Sequence, residues 1–343
     1  MKKRNNTLDV ARGISILSMV GLRILSMVGL HSHLSDGFYY PIAHNIFVKF
    51  LMLYLVPFFF FISGVFYRND SYKKLIFEKF STIIKPVLFT VVFYNILFWD
   101  NDWYSIYCDI YGIFQFPLYA LWFMPTLLTT ILVCSVIIKT ECKNIQSLSV
   151  ILVLVAMTSY NGLIAMLGGA NSDVFVNARF PFTAESLIFT IPIFMCGYYF
   201  RNNVMNFEVS IICLLSYIML ILFFVLKLGV VINIGSFVFK PYFICLVSSF
   251  FAIYILLCVS EIFQKIIFVS SFLRLCGRDS LYIALFHGPL LFYFGKIINY
   301  FHSFGLPMII RDLIVFALSV TMPLFFKKIL ALNKISKWMF AIR

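Results

Sequence analysis

Apolar positions in this chain fall into ten long blocks, separated by short polar and often basic stretches. The blocks run at residues 9–30, 45–66, 82–99, 117–138, 147–168, 183–200, 209–227, 239–260, 279–300 and 306–326. A block of about 20 apolar residues matches a hydrocarbon core of roughly 30 Å when helical. Lipid offers the backbone no hydrogen-bond partners, so each block should satisfy its own amides and carbonyls as an α-helix. The predicted fold is all-α: a polytopic integral membrane helical bundle with about ten transmembrane helices. No linker rich in Gly, Ser or Pro divides the chain, so residues 1–343 read as one transmembrane domain.

Lys and Arg between the blocks set the orientation. Lys2, Lys3 and Arg4 precede the first block, and Arg68, Lys73, Lys74 and Lys79 follow the second. Lys139 and Lys143 follow the fourth, and Lys265, Arg274 and Arg278 follow the eighth. Lys327, Lys328, Lys334, Lys337 and Arg343 follow the last, whereas the alternate loops at 31–44 and 100–116 carry neither Lys nor Arg. Retention of cationic loops on the cytoplasmic side predicts that both termini are cytoplasmic. Lys227 and Lys240, which flank an outer loop, run against the pattern. Residues 327–343 form a basic, amphipathic cytoplasmic tail that either lies along the inner leaflet or is solvated.

Composition agrees. The 343 residues are 62% hydrophobic and 12% charged, with a mean hydropathy of +0.98, more apolar surface than a soluble domain of this size can bury. The partner this requires is the lipid bilayer. The net charge of +13 belongs to topology, because the basic residues sit in loops between apolar runs, and no nucleic acid partner is expected. Cys108, Cys134, Cys142, Cys196, Cys213, Cys245, Cys258 and Cys276 are scattered singly, without CxxC spacing, so they read as small buried hydrophobes and not as a metal or redox site. The first block lacks a small-residue cleavage site and is read as a retained helix.

One local repeat interrupts the first block. Residues 16–23 read ILSMVGLR and residues 24–31 read ILSMVGLH, so the two copies differ only at Arg23 and His31. Eight residues are too few for a solenoid unit. The pattern is that of a tandem duplication within helix 1.

Ionisable side chains inside membrane blocks are costly and are functional candidates for that reason. Helix 1 holds Asp9, Arg12, Arg23 and His31, with Asp9 and Arg12 three residues apart on one face. This pair has a structural reading, an interfacial ion pair, and a functional one. His31 has a side chain whose pKa suits a general base. Ser63 lies in PFFFFISGVFY, and Lys85 precedes Pro86. Trp122 opens ALWFMPTL and has a plain alternative as an interfacial anchor. Ser280 starts a helix that carries His287 about two turns in, where a buried packing histidine is the simpler reading. No P-loop, GxGxxG, HExxH or GxSxG motif is present.

Taken in order, these segments resemble the acyltransferase-3 family of bacterial membrane acyltransferases. LDVARG with a His at the far end of helix 1, PFFFFISGVFY, the basic stretch to Lys85-Pro86, ALWFMPTL, IPIFMCGYYFRN and GRDSLYIALFHGPL all resemble family segments, and they cover nearly the whole chain. The resemblance implies transfer of an acetyl group from acetyl-CoA to a hydroxyl of a bacterial surface polysaccharide, such as O-antigen or capsule, or its lipid-linked precursor. It implies residence in the bacterial inner membrane and no bound cofactor or metal. It makes Arg12 and His31 the catalytic residues, with Asp9, Arg23, Ser63, Lys85, Trp122, Ser280 and His287 as candidates for donor or acceptor binding.

One departure bears on activity. The family signature in helix 1 is an Arg and a His with ten residues between; here eighteen separate Arg12 from His31. An offset of eleven places two side chains within roughly 20° on one helix face, about 16 Å apart. An offset of nineteen turns them roughly 100° apart and separates them by about 28 Å. Removing one copy of the repeat restores the family spacing, so the duplication at 16–31 is expected to impair the enzyme. The family's basic stretch also usually offers Arg where this chain has Lys79 and Lys85, and Lys cannot bind phosphate bidentately. Two other readings stay open at this point: a transporter or flippase for lipid-linked glycan, and an inactive paralogue of the acyltransferases.

Overall fold

A computed structural model describes residues 5–32, 45–98, 122–140, 186–234, 238–302 and 308–342. Of these, 84% are helical, which establishes the all-α character. Helix α1 spans Asn6–Ser32 and α2 spans Ile46–Val65. A short α3 (Tyr72–Lys79) passes through a π-helical turn at Phe80–Ile84 into α4 (Lys85–Phe98). Then follow α5 (Phe123–Lys139), α6 (Leu187–Tyr199), α7 (Arg201–Met205) and α8 (Ile211–Lys227). A hairpin of β1 (Val231–Asn233) and β2 (Val238–Lys240) leads to α9 (Tyr242–Phe263), α10 (Ile267–Arg278), α11 (Ser280–His302), α12 (Met308–Leu330) and α13 (Lys334–Met339).

Among the described residues, helices fall on nine of the ten predicted blocks. The block at 147–168 lies outside them, as do the loops at 33–44 and 100–116. Ile46–Val65, Tyr242–Phe263 and the Asp312–Leu330 part of α12 are each long and apolar enough to cross a membrane. The shorter apolar helices are Phe123–Lys139, Leu187–Tyr199 and Ile211–Lys227. Much of the apolar surface faces outward. Ile211, Ile212, Met219 and Phe223 on α8 are all more than half exposed, an arrangement that suits lipid and would be unstable in water.

The third block differs from its prediction. The basic stretch up to Lys85 is not a loop: the helix begins at Tyr72 and continues through the π-turn. Pro86 has no amide proton and cannot complete the regular ladder. The wider turn before it accommodates that fault.

Two helix crossings depend on glycine. A Cβ on Gly13 of α1 would collide with the Leu273 carbonyl of α10, and one on Gly277 would collide with the Asp9 carbonyl of α1. Between α2 and α6, Gly64 and Gly197 stand in the same relation to the carbonyls of Phe194 and Phe61. Backbones approach this closely only where side chains are absent, as in membrane helix packing generally.

The basic loops converge on one end of the bundle. Asn5 donates to the Met205 carbonyl after α7 (3.2 Å), and the Thr7 hydroxyl donates to Glu261 or Gln264 at the end of α9 (2.8 and 2.9 Å). Arg201 donates to the Tyr67 carbonyl (3.4 Å), Lys139 donates to the Asp70 carbonyl, and Lys327 pairs with Asp279. In the same region the Lys74 hydrogen bond holds the Asp70 carboxyl below its usual range. Both described chain ends lie here.

The end of the tail docks on the bundle, while Leu332, Ile335 and Trp338 stay exposed. Phe340 and Ile342 are buried, Tyr282 donates to the Phe340 carbonyl (3.2 Å), and Phe340 packs on Phe286 and Phe89. The β-hairpin has no counterpart among the predicted elements. It seals its own region by stacking Phe239 on Phe189 (4.6 Å), beside the Ser186 hydroxyl that donates to the Ile234 carbonyl.

Candidate active site

Asp9 and Arg12 meet as their spacing predicts. The Arg12 guanidinium lies 3.9 Å from the Asp9 carboxylate and 5.0 Å over the Phe66 ring. Asp9 is buried and Arg12 half-buried, with Phe66 following the last turn of α2. Two sequence motifs, LDVARG and SGVFY, therefore come together at the basic end.

His31 lies in the last turn of α1, its side chain outside the described residues. Helix α1 runs without a break through both copies of the repeat, so the separation from Arg12 is about 28 Å along the axis. At 27 residues α1 is about 40 Å long, against a hydrocarbon core of roughly 30 Å. The duplication lengthens the helix; it does not loop out.

Arg23 lies eleven residues from Arg12, and so within roughly 20° of the same face and about 16 Å farther along. Its side chain is exposed. His287 is fully buried on the face of α11 that carries Ile283 and Leu291, one turn to either side. Those two residues form one apolar cluster with Ile16, Val20 and Ile24 of α1. His287 Nδ1 lies 2.9 Å from the carbonyl oxygens of both Ile283 and Ala284. Carbonyls only accept, so the neutral ring carries its proton on Nδ1 and its lone pair on Nε2. Nε2 has no hydrogen-bond partner among the described residues.

The remaining candidates are dispersed. Ser63 donates to the Phe59 carbonyl of its own helix (2.7 Å). Lys85 starts α4, with its ammonium 4.2 Å over the Trp338 ring of α13. Trp122 precedes α5 and packs edge-on against Phe123, which in turn meets Phe59 and Phe60. Ser280 starts α11 at the basic end, one residue after Asp279, whose carboxylate pairs with Lys327. The candidates thus fall into one group of Asp9 and Arg12 at the basic end and a second group scattered over other helices.

Sequence reasoning missed the inter-helix hydroxyl pairs. Ser18 meets the Tyr54 hydroxyl (3.1 Å), joining α1 to α2, and Thr130 meets Thr190 (2.8 Å), joining α5 to α6. Small hydroxyl residues inside apolar blocks were the available signal. Among the described residues no cluster of His, Cys, Asp and Glu could hold a metal ion. Cys134, Cys245, Cys258 and Cys276 are buried and form no disulfide among the described residues.

No curated protein and no solved structure matches the chain. A family model described as an acyltransferase domain matches residues 5–328, a stretch that takes in both groups of candidates and nearly all of the helices. This chain belongs to the acyltransferase-3 family, whose members are membrane acyltransferases.

Proposed function

We propose that the protein is an O-acetyltransferase of the bacterial inner membrane, with both termini cytoplasmic. It takes acetyl from acetyl-CoA and places it on a hydroxyl of a surface polysaccharide or of its lipid-linked precursor. The family membership across residues 5–328 carries this reading. The charge distribution supports it. Coenzyme A is a polyanion, and Arg12, Lys85, Arg201 and Lys327 gather at one end of the bundle, where a phosphate can find charge-assisted donors.

In this reading the donor's phosphates bind at the basic end, with Arg12 as one contact, and the thioester points into the bundle. A histidine takes the proton from the acceptor hydroxyl as the oxygen attacks the acetyl carbonyl. The carbon–sulfur bond then breaks, and the thiolate regains that proton. The ester and free coenzyme A are the products.

The test compares O-acetyl content of surface glycan from cells with and without the gene, alongside transfer from radiolabelled acetyl-CoA in proteoliposomes. Loss of O-acetyl groups in the deletion, restored by the gene in trans, is the expected result. Unchanged O-acetylation together with no label transfer would overturn the proposal.

A further inference from the structure

We propose that His287 is the residue that takes the acceptor proton in this chain, in the place that the repeat denies to His31. The inference rests on the acyltransferase reading above.

Three independent features of the packing support it. The first is register. Gly13 and Gly277 lock the beginning of α1 against α10, and α10 leads within two residues into α11. The start of α1 is therefore fixed relative to α11, and the eight additional residues displace only the C-terminal end of α1. His31 moves outward by about 12 Å and around the helix by roughly 80° relative to position 23. The second is level. His287 lies seven residues beyond the start of α11, between Ile283 and Leu291, and these two share one apolar cluster with Ile16, Val20 and Ile24 of α1. Position 23 lies within this stretch of α1, and position 31 lies seven residues beyond its last member, Ile24. The third is the state of the ring. Its Nδ1 proton is anchored by two carbonyls of α11, which orients the ring and leaves Nε2 as a fixed acceptor without a partner among the described residues.

A buried imidazole nitrogen is stabilised by a hydrogen-bond donor. The acceptor hydroxyl has the right chemistry, since it donates to Nε2 and loses its proton to it as the new carbon–oxygen bond forms. Arg23, one residue before Ile24 of the shared cluster, has an exposed side chain. Its guanidinium supplies positive charge for the carbonyl oxygen as that oxygen turns into an oxyanion. The proton then passes from the imidazolium to the departing thiolate, which balances the exchange.

The experiment uses the full-length protein in proteoliposomes, radiolabelled acetyl-CoA and alkali-treated, de-O-acetylated envelope glycan from the host cell. His287→Gln keeps a donor for the carbonyls and much of the volume but cannot take a proton. It should lower kcat at least about a hundredfold, with KM for acetyl-CoA within about twofold and membrane abundance unchanged. His287→Gly should be partly restored by added imidazole, a response that a merely structural role would not give. Wild-type rates in His287→Gln would overturn the inference, as would losses that only follow abundance without imidazole rescue. Abolition of activity by His31→Ala with His287→Gln still active would also overturn it. A wild-type protein that transfers no acetyl to glycan would bring down the acetyltransferase reading itself, and this inference with it.

Discussion

Gly277 lies so close under the Asp9 carbonyl that the two helices meet backbone to backbone, beside the ion pair of Asp9 and Arg12. Gly13 makes the reciprocal contact with Leu273. The position of Arg12 therefore depends on two residues that have no side chains. Gly13→Ala and Gly277→Ala should each destabilise the protein by about 1–3 kcal/mol, since the added methyl meets a backbone that cannot step aside. Gly21→Ala on the same helix should be tolerated, because the nearest atom to its Cβ is a Phe316 ring carbon at 3.8 Å. Thermal aggregation in detergent, followed by size-exclusion chromatography, separates the three. Equal behaviour of Gly13→Ala and Gly21→Ala would show that the crossing has room to spare.

Phe340 is the anchor of the tail. It sits among Phe89, Phe286 and the Tyr282 hydroxyl, while Trp338 lies over the Lys85 ammonium. Phe340→Ala should release the tail, at a cost of about 3–5 kcal/mol to the docked state if the site does not collapse. In inside-out vesicles, trypsin should cut after Lys334 and Lys337 much faster in Phe340→Ala than in wild type. Equal cutting rates would mean that the tail is already free. Trp338→Ala, which removes a cation–π contact of about 0.5–1 kcal/mol, should have the smaller effect.

Orientation is set by the basic end. Reporter fusions at Gly37 and Lys74 should give opposite signals, with Lys74 on the cytoplasmic side, because cationic loops resist translocation. Signals from the same side would refute the alternation of basic and neutral loops.

Much of the fold was legible because membrane helices are written in one variable, the length of an apolar run. The Asp9–Arg12 pair was legible for an equally local reason, since three residues bring two side chains onto one helix face. The role of α10 was not. Its twelve residues mix Arg with Phe and Leu and look like a basic loop, yet Gly277 and Leu273 make it the clamp on α1. The tail was ambiguous because WMFAIR can cover lipid or protein equally well, and only the arrangement of Phe89, Tyr282 and Phe286 decides between them. The packing of the His287-bearing face of α11 on Ile16, Val20 and Ile24 of α1 was the least accessible. It joins the first helix to a late one, and depends on a register that no sequence spacing records.

The repeat offers the sharpest prediction. Deleting residues 16–23 leaves a single copy in which His follows Arg12 at the family spacing. The second copy is identical to the first through its seventh residue, so Ile16, Val20 and every other side chain up to position 22 is replaced by its own kind. The Gly13 and Gly277 clamp lies before the deletion and stays in place. The first change is therefore at position 23, where His replaces Arg. The helix shortens by about 12 Å, close to the length of a simple membrane span. Glycan O-acetylation should rise severalfold or more over the full-length protein. In the full-length chain Arg23→Ala should reduce what activity there is, because position 23 lies within the stretch of α1 that packs on the His287-bearing face of α11. If the deletion lowers acetylation while membrane abundance holds, the extra turns are part of the working enzyme. In that event Arg12 does not correspond to the arginine of the family signature.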